Sequence, residues 1–329
     1  MSPATRPRGM TLVELLVVVL ILGLLAVTVL PNLTNSGENR RLREGVRAVS
    51  SFVANAQSRA IGQTAGAGLW IDVLANQMAG SSIAIDLAAA NVAQPYAGAT
   101  TNSGITTLTA SNLARSLSAT AAFSETITLP PLGPYLLRFQ GSRQWLDFAL
   151  TTTSTTTTSA SGSSGTVAMR TSVGQTVANM AWPQASSANP VGYEIVSPPT
   201  RNSVSSLSLG DRVAIDITNS TLGSNVLTGG VDYASIVVLF DPSGSPSQLV
   251  LVPRGGGSGA RLPLQDPIFL LVASIESIQA GNSLIDPRSN WVAIDPRGGI
   301  PRVAEVNTSG STFAQKQSFI RAGLPQFGR

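Results

Sequence analysis

Cysteine and histidine are both absent from the 329 residues, and lysine occurs once, as Lys316. Without cysteine there are no disulfides and no thiolate nucleophiles, and nothing can be read about redox compartment. Without histidine, Ser-His-Asp and Cys-His arrangements and the usual zinc sites are unavailable. Aromatics make up only 5% and charged residues 12%, so part of the Ser/Thr/Ala-rich middle is expected to be loop. No nucleophile–base spacing or paired-carboxylate motif stands out. G-G-G-S-G at 255–259 lacks a following Lys-Ser/Thr and a clear helix, so it reads as a flexible turn rather than a phosphate loop. The chain is expected not to be an enzyme and to need no cofactor and no metal. The formal charge is +4, carried almost wholly by arginine. A mild excess spread along the chain argues poorly for nucleic acid.

What is present is concentrated at the start. Residues 8–15 read R-G-M-T-L-V-E-L, and Leu15 to Leu30 follow as sixteen residues with only Thr28 strongly hydrogen-bonding. A bilayer asks for about 20 such residues. The leader before them is short and basic, with Arg6 and Arg8, which by the positive-inside rule stays in the cytoplasm. Ala26 to Leu33 offers no small-residue cleavage site, so the apolar segment is expected to be retained. Glu14 is the anomaly, because a carboxylate in such a segment usually has a partner and a task. Beyond Pro31, Leu42, Val46, Val49, Val53, Ala56 and Ala60 recur at steps of three and four. That is one apolar stripe on an otherwise polar helix, suited to packing on a sheet, while Pro31 is expected to bend or locally melt the helix.

R-G-M-T-L-V-E-L-L resembles the prepilin signal of type IV pilins and type II secretion pseudopilins. The resemblance implies cleavage by a prepilin peptidase between Gly9 and Met10, N-methylation of Met10, and an assembly role for Glu14 and Pro31. Stacked helices can bring Glu14 of one subunit to the amine of Met10 in its neighbour, an ion pair that sets axial register. Partners implied are the prepilin peptidase/methyltransferase, other pilins or pseudopilins in a filament, and the inner membrane. The implied placement is single-pass, N-terminus cytoplasmic and head periplasmic.

From residue 69 the pattern changes to period two. Strands are predicted at 69–73, 82–87, 126–129, 135–140, 145–150, 166–171, 192–196, 212–217, 235–240, 248–252, 268–274 and 291–294. Residues 88–122, 198–208 and the Thr/Ser tract 151–165 read as loose. Asp241-Pro242, Asp266-Pro267, Asp286-Pro287 and Asp295-Pro296 read as turns; calcium is the alternative, but the acids are dispersed. F-D-P-S-G, a strand pair and W-V-A-I-D-P-R-G-G-I-P-R-V are similar to the H-type minor pseudopilins (the GspH/FimT-like group), over about 1–75 and 232–305.

The expected organisation is a leader (1–9), an assembly helix (10–33), its amphipathic continuation (34–66), a β-rich head (67–310) elaborated over 76–231, and a tail (311–329). The expected fold class is α+β: a long N-terminal hydrophobic helix, the pilin spine, packed on an antiparallel β-sheet domain with large loop-rich insertions. The expected function is a minor pseudopilin of a type II secretion pseudopilus or type IV pilus. The alternative is a minor pilin binding DNA for uptake through Lys316, Arg321 and Arg329, against which a solvated terminus is preferred.

Overall fold

The computed structural model describes residues 12–75, 82–98, 103–109, 118–125, 127, 135–142, 145–150, 164–168, 182–210, 212–222, 225–226, 233–254, 259–264 and 266–323, with the side chains of 25–36 left aside. Helix α1 (Leu12–Ile61) runs unbroken through position 31, so the expected local melting does not occur. It ends where Gly62 and Gly66 interrupt the pattern. Gly66 has φ +79°, and a Cβ there would lie 2.3 Å from the Phe240 carbonyl oxygen, so only glycine turns the chain into the first strand.

Two antiparallel sheets face α1. The first runs, in spatial order, Thr200–Ser208, Asp86–Asn91, Ala67–Asp72, Tyr233–Phe240, Pro246–Pro253 and Ala260–Pro263. The second runs Pro301–Glu305, Asn290–Ile294, Ile268–Ser274, Val213–Leu222, Ser82–Ala84 and Leu74–Ala75, with Asn225–Val226 added beside Val213–Leu222. The chain crosses between them at Ile85 and again at Leu209, whose N–H donates to the Ile85 carbonyl at 3.0 Å. Leu42, Val46, Val49, Val53, Ala56 and Ala60 of α1 are all buried in one cluster with Leu69, Ile71 and Val238 of the first sheet and Ile215, Leu270 and Val292 of the second. Burying such side chains is worth about 1.5–3 kcal/mol each for the larger ones. At Gly45 the helix comes so near the second sheet that a Cβ would stand 2.8 Å from Val213 Cγ1.

A third antiparallel sheet, Tyr193–Val196, Tyr135–Phe139, Leu146–Leu150, Ser164–Ala168, Ser118–Phe123 and Ile105–Thr109, has its own core. Phe123 meets Phe148 and Tyr193 edge-on, with centroids 5.6 and 4.9 Å apart. Asn91 and Thr200 are cross-strand partners, so the segment between them hangs from the end of one hairpin. The last turns, α2 (Phe313–Lys316) and α3 (Ser318–Gly323), cover the outer side of the second sheet, where Ile320 joins Phe269, Leu271 and Trp291.

These observations correct the expected fold class. Among the described residues the protein is mostly β, rather than a hydrophobic spine on a single sheet with loops inserted. Among the described residues no helix is long and apolar enough to cross a membrane. Part of the stretch expected to be loop is sheet: Ile105–Thr109 pairs with Ser118–Phe123, which pairs in turn with Ser164–Ala168, and Thr200–Ser208 pairs with the distant Asp86–Asn91. The predicted strand at 126–129, apart from Ile127, and residues 151–163 of the Thr/Ser tract lie outside the described residues, while Ser164 and Gly165, expected to be loose, belong to the strand Ser164–Ala168.

Candidate assembly site

The first half of α1 is bare. Every described side chain from Leu12 to Leu24 is exposed, the large apolar ones from 40% at Val18 to 82% at Leu12. Glu14 lies in the first turn among Leu12, Val13, Leu15 and Leu16, where a carboxylate complements the positive end of the helix dipole. Water is a poor partner for such a surface. An apolar face this long marks a membrane or another protein as its usual neighbour.

The second half is clamped. The Glu38 carboxylate pairs with Arg288 at 2.8 Å and with Arg212 at 3.6 Å. Arg288 in turn forks onto Asp286, with Nε to Oδ1 and Nη2 to Oδ2 both 3.0 Å. Burial pushes the Asp286 carboxyl up, but its bonds from Arg288 outweigh that and hold it below the usual aspartate value. The Asp286 bond likewise raises Arg288. Further along, Gln57 Nε2 donates to the Gly298 carbonyl, and Arg59 Nη2 donates to Asn91 Oδ1 at 3.1 Å. Two Asp-Pro turns build the seat for Gln57. Asp241 Oδ1 accepts from the N–H groups of Ser243 and Ser245, while Asp295 Oδ1 accepts from Arg297 N–H. Gly299 has φ +65°, and a Cβ there would be 2.1 Å from the Gly244 carbonyl oxygen.

Residues 5–30 match the family model described as the prokaryotic N-terminal methylation motif. The chain carries a prepilin-type N-terminus. That motif supports a relationship to the type IV pilin and pseudopilin superfamily and implies processing by prepilin peptidase and assembly with other pilins. No curated protein and no solved structure matches the chain. The match takes in the bare residues Leu12–Leu24 and ends with the apolar run of the sequence at Leu30.

Of the residues expected at this site, Glu14 lies on the bare surface, Gly9 and Met10 lie outside the described residues, and Pro31 lies within α1. Of the residues expected of a DNA site, Lys316 and Arg321 bond within the head. Lys316 Nζ donates to the Leu284 carbonyl at 3.0 Å. Arg321 stacks over the Phe269 ring at 4.9 Å and donates to Gln317 Oε1 at 2.7 Å, and Arg329 lies outside the described residues. Among the described residues no three His, Cys, Asp or Glu converge as metal ligands.

Sequence reasoning missed the clamp. D-P-R at 286–288 read only as a turn, and nothing local announces that its arginine reaches Glu38, 250 residues away. It also missed a buried phenol–carboxylate contact in the third sheet. There Tyr193 and Ser103 both donate to Glu125, and burial first, then Glu125, pushes the Tyr193 hydroxyl up.

Proposed function

We propose that the protein is a minor pseudopilin, a structural subunit of an inner-membrane-anchored type II secretion pseudopilus or type IV pilus. Prepilin peptidase cleaves between Gly9 and Met10 and the new amine is methylated. The β-rich head lies on the periplasmic side, and the subunit serves protein secretion mechanically rather than by catalysis. The observation that carries this reading is the coincidence of the methylation motif, 5–30, with the bare half of α1.

Physics favours an apolar segment that can change partners. Sixteen residues are short of the roughly 20 that hold a helix firmly in a bilayer. A marginal anchor is easier to draw out into a bundle of like segments, where packing replaces lipid contact. In such a bundle Glu14 finds the methylated amine of a neighbouring subunit, and either charge alone would be costly there. The bulk added by the third sheet suits an infrequent or terminal subunit better than a repeated lattice. The uptake alternative draws no support from Lys316 and Arg321, whose polar atoms already bond within the head.

Intact mass of the membrane-extracted protein tests the reading. Loss of residues 1–9 plus one methyl group is expected. Full-length material, or cleavage beyond the apolar run, would contradict it.

A further inference from the structure

Just past its bare half, α1 carries Arg40, Arg41, Arg43 and Arg47, all exposed. Arg40 is held by Glu44 at 2.8 Å. Arg41, Arg43 and Arg47 make no ion pair or hydrogen bond among the described residues. The nearby acids are engaged elsewhere, Glu44 by Arg40 and Glu38 by Arg288 and, more loosely, by Arg212. Glu276 lines a small pocket beside Arg41 and Arg212 without pairing with either. Arg43 and Arg47 stand four apart on the helix, a like-charge spacing that destabilises it.

Geometry adds a receptacle. Arg41 on α1 and Arg212 on the loop entering the second sheet line one open cleft of about 420 Å³, with Glu44, Gly45 and Leu209 in its walls. Two guanidinium groups on one cleft suit a phosphate, which accepts several charge-assisted hydrogen bonds at once. Position narrows the source. At 1.5 Å per residue, Arg41 stands about 16 Å beyond the end of the apolar run at Leu30, and its long side chain reaches several ångströms back toward the membrane. With the apolar start of α1 in hydrocarbon, Arg41 and Arg43 reach headgroup level. Charge bias alone tends to keep arginines so near an anchor on the cytoplasmic side. Their presence beyond it is intelligible if anions meet them there.

We propose that Arg41, Arg43 and Arg212 form a collar that binds the phosphates of anionic phospholipid headgroups. This rests on the membrane-anchored reading above. The collar holds the clamped half of α1 against the membrane surface until the subunit is extracted.

The full chain, reconstituted in vesicles of phosphatidylcholine with phosphatidylglycerol as the only anionic lipid and then gently solubilised, is assayed for co-purifying lipid. Phosphatidylglycerol should be enriched over its bulk fraction, less so at high salt. In R41Q/R43Q/R212Q the enrichment should fall about fivefold for each guanidinium lost, while R41K/R43K/R212K keeps most of it. Thermal unfolding of R41Q/R43Q should match the parent; R212Q also removes the loose pair with Glu38, so its lipid readout is compared with R212K, which keeps that charge. Equal enrichment in parent and Gln variant overturns the collar, as does absent enrichment with salt-sensitive pairing to an acidic protein. A parent chain that does not enter phosphatidylcholine vesicles overturns the anchor itself, and the collar with it.

Discussion

Leu12–Leu24 and Leu42–Ala60 belong to one helix yet obey different rules. In the first stretch apolar side chains occupy the whole circumference and all are exposed; in the second, Leu42, Val46, Val49, Val53, Ala56 and Ala60 form one buried stripe, with Ala48 and Phe52 half-buried at its margins. A helix apolar all round is built for surroundings apolar all round, and a striped helix for a single flat partner. The stripe has its partner in the head, two sheets contributing to one cluster. The described side chains of Leu12–Leu24 stay exposed. The difference teaches that secondary structure says nothing about what an element is for; the distribution of apolar groups around its axis does.

If that division is right, the two halves must fail separately. The largest effect is expected at Glu14. Glu14→Gln should reduce incorporation into filaments by more than tenfold, scored by shearing and immunoblotting, because the neighbour's amine loses its counter-charge. Unfolding of the head should not move. Equal incorporation would remove the electrostatic basis of assembly. Gly299→Val strikes the other half. It forces a β-branched residue to φ +65° with its Cβ 2.1 Å from the Gly244 carbonyl oxygen, and so displaces the seat of Gln57. Left-handed strain alone costs about 1–3 kcal/mol, and the collision adds to it. Chemical denaturation should show the loss with processing at Gly9 intact.

How much of this was legible beforehand follows the same division. The stripe on α1 is local and periodic, and all six of its predicted residues are buried. Strands rich in Val, Ile and Leu, such as Ile268–Ser274, announce themselves with their own ends. Thr200–Ser208 and Ser118–Phe123 do not, since Ser, Thr and Ala carry little strand signal and these strands exist because Asp86–Asn91 and Ser164–Ala168 lie beside them. Four strands of the third sheet were predicted near Tyr135–Phe139, Leu146–Leu150, Ser164–Ala168 and Tyr193–Val196, but not their separation into a sheet hanging from the Asn91–Thr200 pair, because a hairpin opened by a long insertion looks in sequence like two unrelated segments. At the candidate site, Glu14 was legible from its apolar company. The Glu38–Arg288–Asp286 clamp was not, being a meeting of residues 250 positions apart.

Core packing gives a middle-sized test. Leu42→Ala removes a side chain that is 4% exposed at the start of the buried stripe, where a cavity would open between α1 and the sheets. The expected loss is about 2–5 kcal/mol, read from the midpoint of urea unfolding with the slope unchanged. Leu16→Ala, on the bare half, should leave that midpoint where it was. A matching loss from Leu16→Ala would mean that the first half also packs on the head.

The smallest effect is expected from the clamp, through pH. Arg288 holds the Asp286 carboxyl below its usual value despite burial. A carboxylate with a lowered folded pKa contributes stability that is fully present above its unfolded value, near 4, and is lost as pH falls through the folded value. The parent should therefore lose stability below about pH 4 more steeply than Asp286→Asn, while the two differ by a constant amount at neutral pH. Arg288 is 39% exposed on its side chain, so solvent screens the pair and the difference should be modest. Salt should shrink it further. Parallel acid-unfolding curves would show that Asp286 only shapes its turn, leaving Glu38 and Gln57 to fix the angle at which the bare half of α1 leaves the head.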